Sequence, residues 1–294
     1  MNEEALAFGC GGETLLGIVA RPAGVPTGDV GALIVVGGPQ YRAGSHRQFV
    51  LWARAFAAAG VPALRFDVRG MGDSGGALRA FTSLDDDIGT AVQALVDACP
   101  CVRRVVLCGL CDGASAALMY LDARADPRVA GLVLLNPWVR TEQSQARTVV
   151  RHYYWSRLTS ARFWRKLLGG GVARGAVGEL LASVRRAACD GGPAVTAASG
   201  YIERMADAWR AFGGPILLVL SGNDYTAKEF LDHAARDARW AALLARPEVQ
   251  RVNLAQADHT FSTAADRLLL EQAVIAWLAR LGWIDARHIP EPAL

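Results

Sequence analysis

The chain has 294 residues, 52% of them hydrophobic, enough for one large α/β domain with an insertion or for two modest domains. Charged residues make up 20% and the formal net charge is only +3, so the whole-chain field gives no reason to expect a nucleic-acid partner.

The N-terminal Met1-Asn2-Glu3-Glu4 lacks the basic and apolar regions of a secretory signal, so export by that route is not expected. The most apolar runs, 31–36 and 215–220, are far shorter than the roughly 20 residues of a bilayer span and read as buried strands. Six cysteines without a signal fit reduced thiols in a cytoplasm.

From 31 to 135, short β-rich apolar runs alternate with amphipathic helical segments, the pattern of a parallel sheet covered by helices. The predicted strands are 32–36, 62–66, 105–108 and 129–135, with helices at 46–59, 84–98 and 111–123. Ser83, followed by Asp86, reads as the N-cap of the second helix. After Asn136-Pro137-Trp138 the rhythm changes. Residues up to about 208 lack strand-like runs and are rich in Arg, Tyr and Trp, which predicts a helical cap at 138–208 between core segments 1–137 and 209–294. Arg and Lys outnumber Asp and Glu there, a bias that fits a solvated basic face as well as an anionic-substrate site. The α/β rhythm resumes at 215–220, followed by the loop Ser221-Gly222-Asn223-Asp224. A last strand near 249–254 leads to Ala257-Asp258-His259-Thr260-Phe261 and a helix at 264–281, and the tail from Asp285 reads as a surface extension.

Gly109-Leu110-Cys111-Asp112-Gly113 sits between a predicted strand and a helix containing Ala114, Ala116 and Ala117. It is G-x-S-x-G with cysteine for serine, the nucleophile-elbow pattern, in which small flanking residues admit neighbouring chain around a strained nucleophile. A helix N-terminus at that point favours a thiolate and an oxyanion. The bland alternative is a structural cysteine in an ordinary βα turn. Cys108 and Cys111 also form C-x-x-C, but Cys108 ends a strand pattern and is expected in the core rather than in a redox pair.

Gly70, Gly72 and Gly75 satisfy G-x-G-x-x-G, yet the next helix begins only near Ser83, so dinucleotide binding is not expected. No metal or other cofactor is expected either. The string Asp67-Val68-Arg69-Gly70-Met71-Gly72-Asp73-Ser74 resembles a loop of α/β-hydrolases and reads as structural. Acid and histidine should follow the nucleophile in that order, each on a loop after a late strand, and Asp224 and His259 occupy those places. His259 would act as base toward Cys111 and Asp224 would fix its tautomer, while Asp258 would point elsewhere. The oxyanion donors would be the N–H of Asp112 and one from Gly37-Gly38-Pro39-Gln40. Pro39 has no N–H, which leaves Gly38, slightly favoured, or Gln40. His46 would line the mouth of the site or lie on the surface.

The motifs Gly37-Gly38-Pro39-Gln40-Tyr41-Arg42 and Gly44-Ser45-His46-Arg47-Gln48-Phe49, the cysteine elbow and Phe163-Trp164-Arg165-Lys166-Leu167 together make the chain resemble one group. It is similar to the exosortase A system-associated hydrolases, the first of the two α/β-hydrolases found near that system. The resemblance implies an α/β-hydrolase fold, a mostly parallel sheet with a helical cap, and a Cys111-His259-Asp224 triad. That group's usual neighbourhood of acyl-activating ligase and acyl carrier protein genes implies an acyl thioester, linked to CoA or a carrier protein. Arg151, Trp155, Trp164 and Arg165 of the cap would then hold a phosphate-bearing substrate. Thioesterase, esterase and acyltransferase activities all remain open. So do a small lactone or ester hydrolase of dienelactone-hydrolase type and a catalytically silent binding protein; oligomeric state is not legible.

Overall fold

The computed structural model describes residues 1–24, 28–38, 40–139 and 194–285, with side chains omitted at 194–199. Its strands are β1 (Asn2–Cys10), β2 (Glu13–Arg21), β3 (Val30–Val35), β4 (Ala63–Phe66), β5 (Arg104–Leu110), β6 (Val129–Leu135), β7 (Ile216–Ser221) and β8 (Val249–Leu254). The described α-helices are α1 (Gln48–Ala58), α2 (Asp85–Ala98), α3 (Asp112–Arg124), α4 (Ala194–Ala211), α5 (Tyr225–Arg236), α6 (Ala238–Leu244) and α7 (Ala264–Arg280).

All eight strands join one sheet in the order β1-β2-β4-β3-β5-β6-β7-β8. β1 and β2 form an antiparallel hairpin that adds antiparallel to β4, and every other pairing is parallel. Alternation splits β3 and β5 between two apolar layers. Leu33, Val35, Val105 and Leu107 pack on one side with α2 and α3 residues such as Ile88, Leu95 and Leu118. Ala32, Ile34, Val106 and Cys108 pack on the other with α1 and α7 residues such as Phe56, Val274 and Trp277. Burial on both faces is why these strands read as unbroken apolar runs.

Three local expectations are corrected. The predicted first helix begins at Gln48, not at 46, because His46 (φ 52) and Arg47 (φ 59) are left-handed and cannot continue a right-handed helix. Ser83 is not the cap of α2. It ends a short 3-10 turn, the N-cap is Leu84 without a side-chain bond, and Asp85, Asp86 and Asp87 supply negative charge to the first turn instead. The N-terminal hairpin lies outside the predicted elements. It turns on Gly11 (φ 58) and Gly12 (φ 87), which suit the positive φ that a two-residue hairpin loop demands.

The cap predicted at 138–208 lies for the most part outside the described residues. Its last stretch belongs to α4, which runs unbroken past 208 and buries Met205, Ala206 and Trp209 in the layer that contains α3. Among the described residues no helix is long and apolar enough to cross a membrane.

Candidate active site

The chain leaves β3 for β4 on one side and then returns to place β5 on the other side of β3. Such a reversal opens a crevice at the carboxyl ends of the two strands, where open α/β sheets bind ligands. Gly37 and Gly38 follow β3 at that point and Cys111 follows β5.

Cys111 is the N-cap of α3, with φ 59 and ψ −123, a region rarely adopted by a residue that has a Cβ. The strain is held from several sides. The Cys111 N–H donates to Leu135 O on β6 at 2.9 Å, and Cys111 O accepts from Ala114 and Ser115 N–H at 3.1 and 3.2 Å. Both flanking glycines are required by close approach. A Cβ on Gly109 would lie 2.4 Å from the Gly113 carbonyl, and one on Gly113 would lie 2.5 Å from Val35 O. Cys108, by contrast, is buried in the core, where burial pushes its thiol well above the ordinary range, and no disulfide joins it to Cys111.

Asp224 ends the loop after β7 and caps α5. Its carboxylate accepts from Thr226 N–H at 3.0 Å and Ala227 N–H at 3.2 Å, and the same buried group lies 2.8 Å from His259 Nδ1. The two loops are fitted together through Gly222, where a Cβ would lie 2.1 Å from Ala255 O. Asp258 turns away from His259 to accept from Thr260 and Ser262. Burial works to raise its pKa, but the hydrogen bonds from Ser262 and Thr260 outweigh it and hold the carboxyl below the usual range.

A cavity of about 310 Å³ joins these parts. Gly37, Gly38, Gln40, Cys111, Asp112 and His259 line it together with the apolar Phe49, Phe81, Leu110 and Trp138. Cys111 and His259 therefore face one space, with Asp224 behind the imidazole.

The family model described as "Alpha/beta hydrolase family" matches residues 33–271. The chain belongs to that family. Among solved structures, this alpha/beta hydrolase is similar to a Pyrococcus furiosus esterase at 15% identity, with a TM-score of 0.62 over 95% of this chain and 92% of that one. It is also similar to a Xanthomonas campestris serine hydrolase without lid at 15% identity, with a TM-score of 0.59 over 97% of each chain. A Butyrivibrio proteoclasticus protein with ferulic acid bound gives 16% identity and a TM-score of 0.62 over 94% of this chain and 98% of that one. At such identities the likeness is one of fold. No curated protein matches the chain.

Within this alpha/beta hydrolase, not every predicted site residue comes together. Gly38 and Gln40 both reach the cavity, but the Gly38 N–H is engaged by Asp112 Oδ2 at 2.7 Å. His46 is exposed and does not line the cavity, because the left-handed turn before α1 carries it outward. Arg151, Trp155, Trp164 and Arg165 lie outside the described residues. The glycines after β4 serve the loop itself: a Cβ on Gly72 would lie 2.2 Å from Asp67 Oδ2, and one on Gly70 would lie 2.3 Å from Leu78 N. Asp67 binds Arg42, while Arg69 is gripped by buried Asp87.

Two features escape the sequence reading. Buried Asn136 exchanges hydrogen bonds with Ser221 and reaches His259 O at 3.5 Å, tying the ends of β6 and β7 to the histidine loop. Its position directly after β6, before Pro137, is the signal that could have marked it. The side chain of Asp112 is the second.

Proposed function

We propose that this alpha/beta hydrolase is a cysteine-nucleophile enzyme acting on an acyl thioester or ester, with Cys111, His259 and Asp224 as its triad. The observation that carries the reading is a strained cysteine at a helix N-terminus sharing one cavity with a histidine bound to a buried carboxylate. His259 takes the Cys111 thiol proton and the thiolate attacks the acyl carbonyl. The tetrahedral intermediate then breaks its bond to the leaving thiolate or alkoxide, which receives that proton from His259. Acyl-Cys111 is resolved by water, an alcohol or an amine. The acceptor loses its proton to His259 as it attacks, the carbon–sulfur bond to Cys111 breaks, and the leaving thiolate takes that proton back from His259.

The oxyanion would be held by the Asp112 N–H and by that of Gly38 or Gln40. The predicted cap, through Arg151, Trp155, Trp164 and Arg165, would hold the phosphates of CoA or of a carrier-protein arm. The kinship to exosortase A system-associated hydrolases and a cytoplasmic location belong to the same reading. A second reading, a catalytically silent binding protein, is favoured by the engaged Gly38 N–H.

Intact-protein mass spectrometry after incubation with acyl-CoAs and p-nitrophenyl esters tests both. An acyl adduct that needs Cys111 and turns over only with His259 supports the enzyme. Binding without adduct across the panel supports the silent protein.

A further inference from the structure

Asp112 brings more than a backbone N–H to the cavity. Its Oδ2 accepts the Gly38 N–H at 2.7 Å, while Oδ1 is shut off from solvent with no hydrogen-bond partner. A Cβ on Gly37 would stand 2.1 Å from Oδ1, so the carboxylate lies tight against the β3 loop. Phe49, Phe81, Leu110 and Trp138 are the apolar residues lining the same cavity. Among the described lining residues there is no Lys or Arg, and the one group able to carry positive charge, His259, is paired to Asp224. Burial pushes the Asp112 carboxyl above its ordinary range, and the nearby backbone N–H groups, Gly38 first, together with the charge of His259, only partly offset this.

A carboxylate therefore holds one of the two N–H groups, Gly38 and Gln40, that could complete the proposed oxyanion hole. One N–H cannot serve both, and two negative charges at hydrogen-bond distance repel each other. A reactant that carries its own cation beside the reacting carbonyl removes both obstacles.

We propose that Asp112 selects acyl donors bearing an ammonium group next to the scissile carbonyl, with α-aminoacyl thioesters or esters as the class that fits. The inference rests on the proposed Cys111 acyl-enzyme and names its donor. In an α-aminoacyl group the ammonium sits on the carbon adjoining the carbonyl, so a carbonyl directed to the Gly38 N–H brings it toward the carboxylate bonded there. The carboxylate turns from Gly38 to the ammonium, and the Gly38 N–H is released to the carbonyl oxygen. Aromatic walls suit such a ligand, since ring faces attract cations and accept the donor's apolar side chain. A donor with a carboxylate in place of the ammonium is repelled.

The test uses a matched pair of N-acetylcysteamine thioesters, phenylalanyl and 3-phenylpropanoyl, which differ in the amino group. Rates of Cys111 acylation are read by intact mass for the wild type, Asp112→Asn and Asp112→Ala. The wild type is expected to favour the amino donor on the order of ten- to a hundredfold, the worth of a hydrogen bond between charged groups. Both variants are expected to lose that preference, read as the ratio of the two donors within each variant, whatever their absolute rates, with folding checked by circular dichroism. A wild-type preference for the desamino donor, or variants that keep the wild-type ratio, overturns the role of Asp112 and leaves the acyl-enzyme standing. Absence of any Cys111 adduct with either donor refutes the acyl-enzyme and this inference together.

Discussion

Replacing Asp224 separates two duties that one carboxylate performs. Its oxygens accept the N–H groups of Thr226 and Ala227 at the start of α5, and Oδ2 also meets His259 Nδ1 at 2.8 Å. In Asp224→Asn the amide oxygen can still accept from Thr226 while the Ala227 N–H loses its acceptor, so part of the cap is kept and stability should fall less than in Asp224→Ala. The amide NH2 then faces His259 and forces Nδ1 to accept, which leaves the proton on the ring nitrogen that should take one from Cys111. The same exchange in a Ser-His-Asp triad costs about 10⁴ in turnover, or about 5.5 kcal/mol of barrier. Asp224→Ala loses the triad contact and the cap, with a further stability cost of about 0.5–2 kcal/mol. Turnover of a donor that acylates Cys111, together with urea unfolding followed by circular dichroism, reads both effects. An Asn variant within tenfold of wild-type turnover would refute the role given to the carboxylate. Equal destabilisation by Asn and Ala would refute the capping argument.

Gly113→Ala would push a Cβ to 2.5 Å from Val35 O, a backbone atom that cannot swing aside. A loss of about 1–3 kcal/mol in urea and slower alkylation of Cys111 are expected, and normal values for both would mean that close packing does not hold the elbow. Asp87→Ala removes the hydrogen-bonded carboxylate of the buried Arg69 guanidinium and leaves only half-exposed Asp86 at 3.6 Å, at a cost of up to about 3–5 kcal/mol; a shift below about 1 kcal/mol in the same unfolding assay contradicts this. Burial works to raise the pKa of Asp126, but hydrogen bonds from Arg128 and Tyr120 prevail and hold it at about 2. That is below the unfolded value of about 3.9, so its stabilisation is complete above about pH 4 and is lost as pH falls through about 2. Asp126→Asn should flatten that part of the acid-unfolding profile, and an unchanged profile would count against the pairing.

Much of the sheet is legible locally. Strand β6 coincides with its predicted range, and β3, β5 and β7 depart from theirs by a few residues at most, because strands buried on both faces need apolar side chains at nearly every position. The elbow is legible for a similar reason: its glycines answer contacts made within a few residues and with the adjoining strand. The β1–β2 hairpin is fainter, since half-exposed β1 carries few large apolar residues, although Gly11-Gly12 between two extended segments marks the turn.

What the sequence by itself determined is the alternation of elements and the order of cysteine, acid and histidine along the chain. Tertiary structure decided which groups meet. Asp112 reaches Gly38 across 74 residues because β5 lies beside β3, and Asn136 reaches Ser221 across 85 because β6 lies beside β7. Of the two places open to His46, the surface is the one it takes, on two left-handed residues that no periodicity announces. Side-chain period is a property of neighbouring residues and can be read one segment at a time. Strand order is set by how all the apolar faces are buried at once, so contacts between loops at the sheet's edge exist only when the whole sheet has formed.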